Sequence, residues 1–118
     1  MIQTHILVKN QFIDFHRWES APEEVDFLRN LHRHVFKVET TIEVRQNDRD
    51  IEFFILQKQI DNLIKTFVIP MPETKSCEMM AEVIVRQLAA VYPKRLIQAL
   101  VSEDGENAAI VTLSPEYD

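Results

Sequence analysis

Leu31-His32-Arg33-His34-Val35-Phe36-Lys37-Val38-Glu39-Thr40-Thr41-Ile42-Glu43-Val44 is the stretch that decides the fold. From Phe36 onward, Phe36, Val38, Thr40, Ile42 and Val44 fall on one side. Lys37, Glu39, Thr41, Glu43 and Arg45 fall on the other. Period-two alternation over this length predicts a β-strand with one buried face. His32 and His34 stand two apart at its entrance, so both rings share the apolar face with Phe36 and Val38. Arg33 falls on the polar face. Gln46 to Asp50 reads as a polar turn.

Upstream, Ile2 to Val8 alternates and predicts a strand. Gln11 to His16 predicts a second extended segment, and Ser20 to Glu24, with Pro22, a loop. Downstream the period changes. Phe53, Leu56, Ile60, Leu63, Ile64 and Phe67 follow helical spacing, and Pro70 and Pro72 break the helix exit. Ser76 predicts the N-cap of a second helix, whose apolar stripe is Met80, Val83, Ile84, Leu88 and Val91. Pro93 stops it. Leu96 to Ser102 and Ala108 to Leu113 predict two short strands, joined by a hairpin loop, Glu103 to Asn107, that holds Gly105. Pro115 ends the fold. The order strand, strand, helix, helix, strand, strand is an α+β pattern without repeats. Its sheet edges need covering, and oligomerisation is the expected remedy.

At 118 residues the chain predicts one domain spanning 1–118. The formal net charge is −6 with no basic stripe, which argues against a nucleic-acid partner. Arg17, Arg29 and Arg33 lie close to the histidines and could still form a local anion-binding cluster. The single glycine, Gly105, excludes a Gly-rich phosphate loop and a dinucleotide fingerprint. The single cysteine, Cys77, excludes an intrachain disulfide and fits a reducing compartment. Met1 to Lys9 lacks the basic start and apolar run of a signal peptide, and no stretch approaches a membrane span. The expectation is a soluble, cytoplasmic protein.

His16, at the end of the neighbouring extended segment, is the natural third partner for His32 and His34. Three neutral imidazoles plus a water are the donor set of a catalytic zinc ion with an open position. The alternative is a histidine pair hydrogen-bonded within a half-buried strand. The spacing of His5 suggests nothing.

The run Phe15-His16-Arg17, a loop, then Leu31-His32-Arg33-His34-Val35-Phe36 resembles the zinc motif of the 6-pyruvoyltetrahydropterin synthase and 6-carboxytetrahydropterin synthase family. There the pattern is His-Arg-Leu, a loop, then Leu-His-Gly-His-Ser-Phe. Ile51-Glu52-Phe53 resembles the family's Met-Asp-Phe, and Ser76-Cys77-Glu78 its Thr-Ser-Glu or Thr-Thr-Glu. Val101-Ser102-Glu103 resembles the segment that carries the ring-anchoring glutamate. These matches occur in order along nearly the whole chain.

The resemblance implies the tunnelling fold: an antiparallel four-stranded sheet with two helices on one face, ordered ββααββ. It implies homo-oligomers, often hexamers, with sites between subunits. It implies Zn2+ on His16, His32 and His34, acting as a Lewis acid on substrate hydroxyls or carbonyls. Glu103 would grip the ring, with Ser76, Cys77 and Glu78 also facing the substrate. The expected activity is a zinc-dependent carbon–oxygen lyase acting on a dihydroneopterin triphosphate-like or related GTP-derived compound, with queuosine biosynthesis as one setting. Leu28 stands where the family usually has a cysteine. The apolar Phe67-Val68-Ile69-Pro70-Met71-Pro72 stands where it has an Asp-His pair. Glu24 or Asp26, beside Glu23, could replace the cysteine as base, or could simply belong to a solvated acidic loop. The alternative function is a catalytically impaired pterin- or purine-binding protein that keeps the zinc site and Glu103. A third reading is a small assembly protein whose histidines are incidental.

Overall fold

A computed structural model describes residues 1–115. The fold is α+β. Strand β1 (Thr4–His16) pairs antiparallel with β2 (His32–Val44), β2 with β3 (Ile97–Glu103) and β3 with β4 (Ala108–Leu113). The sheet order is β1-β2-β3-β4, so the two helices form the crossover from β2 to β3. Two 3₁₀ turns, kinked at Val25, span Glu23–Arg29 in the β1–β2 connection. Among the described residues no helix is long and apolar enough to cross a membrane.

One face of the sheet makes the core. Val8, Phe12, Phe36, Val38, Ile42, Ile97, Ala99 and Val101 are buried there. Helix α1 (Phe53–Leu63) packs on β1, and helix α2 (Cys77–Val91) packs on β3 and β4. Their inward stripes are Leu56, Ile60 and Leu63 from α1, and Met80, Ile84 and Leu88 from α2. Both helices carry side-chain caps: Glu52 accepts from the N–H groups of Phe54 and Ile55, and Ser76 Oγ accepts from Met79 N–H at 3.1 Å.

The structure departs from the sequence expectation in three places. The two N-terminal extended segments are one 13-residue strand. Asn10, between the two segments, keeps the alternation and points into the core. Its amide donates to Gln57 O at 3.0 Å and to Asp61 Oδ1 at 2.7 Å, tying β1 to α1. The first helix does not run evenly to Phe67. After Leu63 it widens into a π-turn, Ile64–Val68, in which Ile69 N–H donates to Ile64 O at 2.9 Å. Ile64 and Val68 are buried in this turn, while Phe67 stays exposed, as does Phe53 at the other end. Val91, expected in the second stripe, is also exposed. The other helix positions and the β3–β4 hairpin stand as expected. In that hairpin Asp104 and Gly105 take successive left-handed conformations, φ 58° and 78°, and Glu106 N–H donates to Glu103 O at 2.9 Å. Asp-Gly adopts this pair of conformations at low cost.

The segment between the helices is held by a buried cation. Lys75 is only 3% exposed. Its ammonium donates to Asp14 Oδ2 on β1 and to the carbonyls of Val68 at 3.2 Å and Ile69 at 3.0 Å. All three protons are thus used, and two of the partners are carbonyls at the end of the π-turn. Lys75→Met is therefore expected to destabilise the fold by roughly 3 kcal/mol, because it removes the counter-charge of Asp14 and a charged donor from two carbonyls. Urea denaturation checks this. Lys58→Met, at an exposed helix position, is expected to stay within about 0.5 kcal/mol of the parent.

Candidate metal centre

The β1–β2 register places His16, the last residue of β1, directly opposite His32, the first of β2. His34 follows on the same face. Its ring centre lies 5.0 Å from that of His32 and 5.3 Å from that of His16, while the His16 and His32 rings are 4.6 Å apart. Glu103, the last residue of β3, is the register partner of Phe36 and so reaches the same corner of the sheet. One ligand atom from each of His16, His32, His34 and Glu103 lies within 4.8 Å of all the others. The group could hold a metal ion.

The outer hydrogen bonds settle which nitrogens are free. His16 Nδ1 lies 2.9 Å from Lys75 O, and His32 Nδ1 lies 2.8 Å from Asn30 O. A carbonyl oxygen only accepts, so both Nδ1 atoms carry the proton. His34 Nδ1 donates to Asp104 Oδ2 at 2.7 Å. In each neutral ring the lone pair is therefore on Nε2. The Nε2 atoms of His16 and His34 face Glu103 Oε2 at 2.8 and 3.0 Å. His32 Nε2 is buried and has no hydrogen-bond partner among the described residues. Three lone pairs and a carboxylate converging in this way repel unless positive charge, a metal ion or added protons, lies among them. The outer acceptors on Nδ1 are the arrangement that orients metal-bound histidines. Neutral imidazole with carboxylate is a donor set suited to zinc and to several other divalent transition metals.

Two of these supports were missed by sequence reasoning. Lys75 offers its backbone carbonyl to His16, and its buried side chain fixes the segment that carries it. Asp104 also accepts from Val35 N–H at 2.9 Å, while its own N–H donates to Val35 O at 2.8 Å. The bond from His34, then that from Val35, holds its carboxyl below the ordinary aspartate value. Asp104 therefore stays ionised, and its grip on His34 is lost only as pH falls through that lowered value. Asp-Gly looked like turn chemistry alone. Only the hairpin's position beside β2 gives Asp104 a second role.

A cleft of about 690 Å³ opens beside the group, within the usual size range for small-molecule sites. His16, His32, Glu103, Ser76, Cys77 and Glu78 line it, joined by Trp18, Leu28, Met79 and Ile110. The residues expected to face a substrate thus stand along one wall system with two of the histidines. Glu24 and Asp26 do not. Both are exposed on the 3₁₀ turns and are absent from the cleft and from the histidine group. The three arginines do not cluster either. Arg17 pairs with Glu19 and Glu73, Arg29 donates to Ala21 O, and Arg33 is exposed on the opposite face of the sheet. Cys77 is half-buried. Its thiol is pushed up to about 12 by burial first, then by Glu103 and Glu78, so it is a neutral wall group at physiological pH.

Compared with known proteins, the chain matches no family model and no curated protein.

Two outcomes follow from this geometry. Asp104→Asn keeps the turn, because Asn tolerates the left-handed conformation, but it removes the charged acceptor from His34. It is expected to weaken metal binding by about 10- to 100-fold in chelator competition at neutral pH. Cys77 is expected to react with iodoacetamide at pH 8 about 30-fold more slowly than an unperturbed thiol. Roughly a thousandfold less thiolate is offset only in part by the higher nucleophilicity of a more basic sulfur. Mass spectrometry of timed samples measures it.

Proposed function

We propose that this chain is a divergent member of the 6-pyruvoyltetrahydropterin and 6-carboxytetrahydropterin synthase type. In this reading Zn2+ sits on His16, His32 and His34, and the cleft takes a dihydroneopterin triphosphate-like or related GTP-derived compound. The activity would be that of a carbon–oxygen lyase. The observation that carries the reading is the convergence of the three Nε2 atoms beside a cleft that Glu103 also lines. Zinc would supply a Lewis acid for a substrate hydroxyl or carbonyl. The chain's own residues would do the rest. Lys75 O, Asn30 O and Asp104 hold the imidazoles in one tautomer. Glu103 accepts ring N–H groups, a task suited to a charged acceptor. Trp18, Met79 and Ile110 offer apolar surface to a flat ring.

The ββααββ element order supports the finer assignment to the tunnelling fold. Assembly into homo-oligomers, hexamers being the family's frequent form, fits two features. Among the described residues, edge strands β1 and β4 have no partner on their outer sides, and the sheet's outer face exposes Leu7, Ile13 and Phe15. The lone free cysteine fits a cytoplasmic setting.

A second reading, in which the ligand is held without turnover, is favoured by a specific observation. Leu28 lines the cleft where the family's cysteine is expected, and the Cys77 thiol is held protonated. Neither can move a proton at neutral pH. Incubation of zinc-loaded protein with dihydroneopterin triphosphate separates the readings. Triphosphate release that disappears in His32→Ala is the expected result for the lyase. Tight binding by calorimetry without release supports the holding protein. Absence of both would sink the pterin assignment.

A further inference from the structure

The same corner of the sheet carries an inference about the resting state of the metal centre, and it rests on the zinc reading above. In the three-histidine arrangement the fourth position is open to water. Here that position is already claimed. Glu103 Oε2 sits 2.8 Å from His16 Nε2 and 3.0 Å from His34 Nε2. Two atoms bound to one zinc ion at about 2.0–2.2 Å, in tetrahedral geometry, stand roughly 3.3–3.5 Å apart. The carboxylate and the two imidazoles thus need to spread by only about half an ångström. A water in the fourth position would have to push this carboxylate aside.

Charge points the same way. Three neutral imidazoles leave a divalent ion with its full charge in a half-buried corner. One carboxylate on the ion and a second, Asp104, behind His34 bring the cluster close to neutrality. Backbone geometry holds Glu103 there, since it closes β3 opposite Phe36 and its N–H donates to Asn107 O at 3.0 Å.

We propose that Glu103 is the fourth ligand of the metal in the ligand-free protein, so that the resting centre is a closed three-histidine, one-carboxylate site. The single carboxylate then serves two partners. A ligand that recruits Glu103 to its own N–H groups takes it off the ion and opens a position on the metal beside the cleft. Occupation of the cleft and exposure of the metal are coupled through one side chain, and by linkage each weakens the carboxylate's bond to the other.

Cobalt(II) loading of the full chain tests this, because the visible bands of the ion report its ligands without any turnover. The variants are Glu103→Gln, Glu103→Ala, His34→Ala and, as a cleft carboxylate outside the metal group, Glu78→Gln. Thermal melting confirms that each is folded. Both Glu103 variants are expected to shift the cobalt bands and to lose about 100-fold in cobalt affinity, at the upper end of what removing an outer-shell partner costs. Glu78→Gln should do neither. Added azide should perturb the spectrum of Glu103→Ala and leave the parent unchanged, since only the variant has a vacant position. Cobalt binding that needs His34 but has the same bands, affinity and azide response in the parent and both Glu103 variants overturns this inference alone. A parent protein that binds no cobalt overturns it together with the zinc reading.

Discussion

The register between Thr4–His16 and His32–Val44 is the constraint on which the rest depends. It sets His16 against His32 and leaves His34 on the same face. A slip of one residue in either strand would put His16 on the opposite face of the sheet from His32 and His34. Two features hold the register. Phe12 and Phe36 are partners in it and stack with ring centres 5.3 Å apart. Asn10, on the same face, is locked to α1 by two hydrogen bonds. The histidines therefore inherit their positions from the hydrophobic alternation of the strands, not from any loop.

Around this corner the protein places oxygen acceptors behind the rings and leaves nitrogen lone pairs in front. The acceptors come from three places: the turn before β2, the segment before α2 and the β3–β4 hairpin. None of these segments is regular structure, yet each is pinned. Lys75 is pinned by its own buried ammonium, and Asp104 by a two-way pairing with Val35. Rigidity of the surrounding shell is what lets a few side chains hold an ion in one geometry. The same rigid shell brings Glu103 to the front of the rings, where its carboxylate faces both the metal position and the cleft.

One wall of the cleft is the start of α2. Ser76, Cys77 and Glu78 arrive together because Ser76 caps α2 and the helix begins at the cleft. Yet Leu28 is aliphatic and Cys77 is held neutral by burial and two nearby carboxylates. Besides the histidines and Cys77, the titratable side chains lining the cleft are Glu103, Glu78, Arg17 and Lys75, and Lys75 is tied up in its buried ion pair with Asp14.

Much of this was legible in the chain itself. Strict alternation from Phe36 to Val44 determined a half-buried strand and the shared face of His32 and His34. Helical spacing, the Ser76 cap and Pro93 determined the two-helix crossover within a few residues. Alternation is a local property, and a strand carries it whatever it pairs with. The single N-terminal strand was hidden because polar Asn10 falls between the two alternating stretches, on the apolar face, where only a helix supplies its partners. The π-turn was hidden because Val68 and Phe67 are equally apolar, and only packing decides which one turns inward. Tertiary structure alone decided that Glu103 meets the histidines, that Glu24 and Asp26 do not, and that Lys75 and Asp104 stand behind the rings. These contacts join residues as many as 87 positions apart in the sequence. No period or spacing encodes such distances, because they are set by how the sheet and helices close on one another.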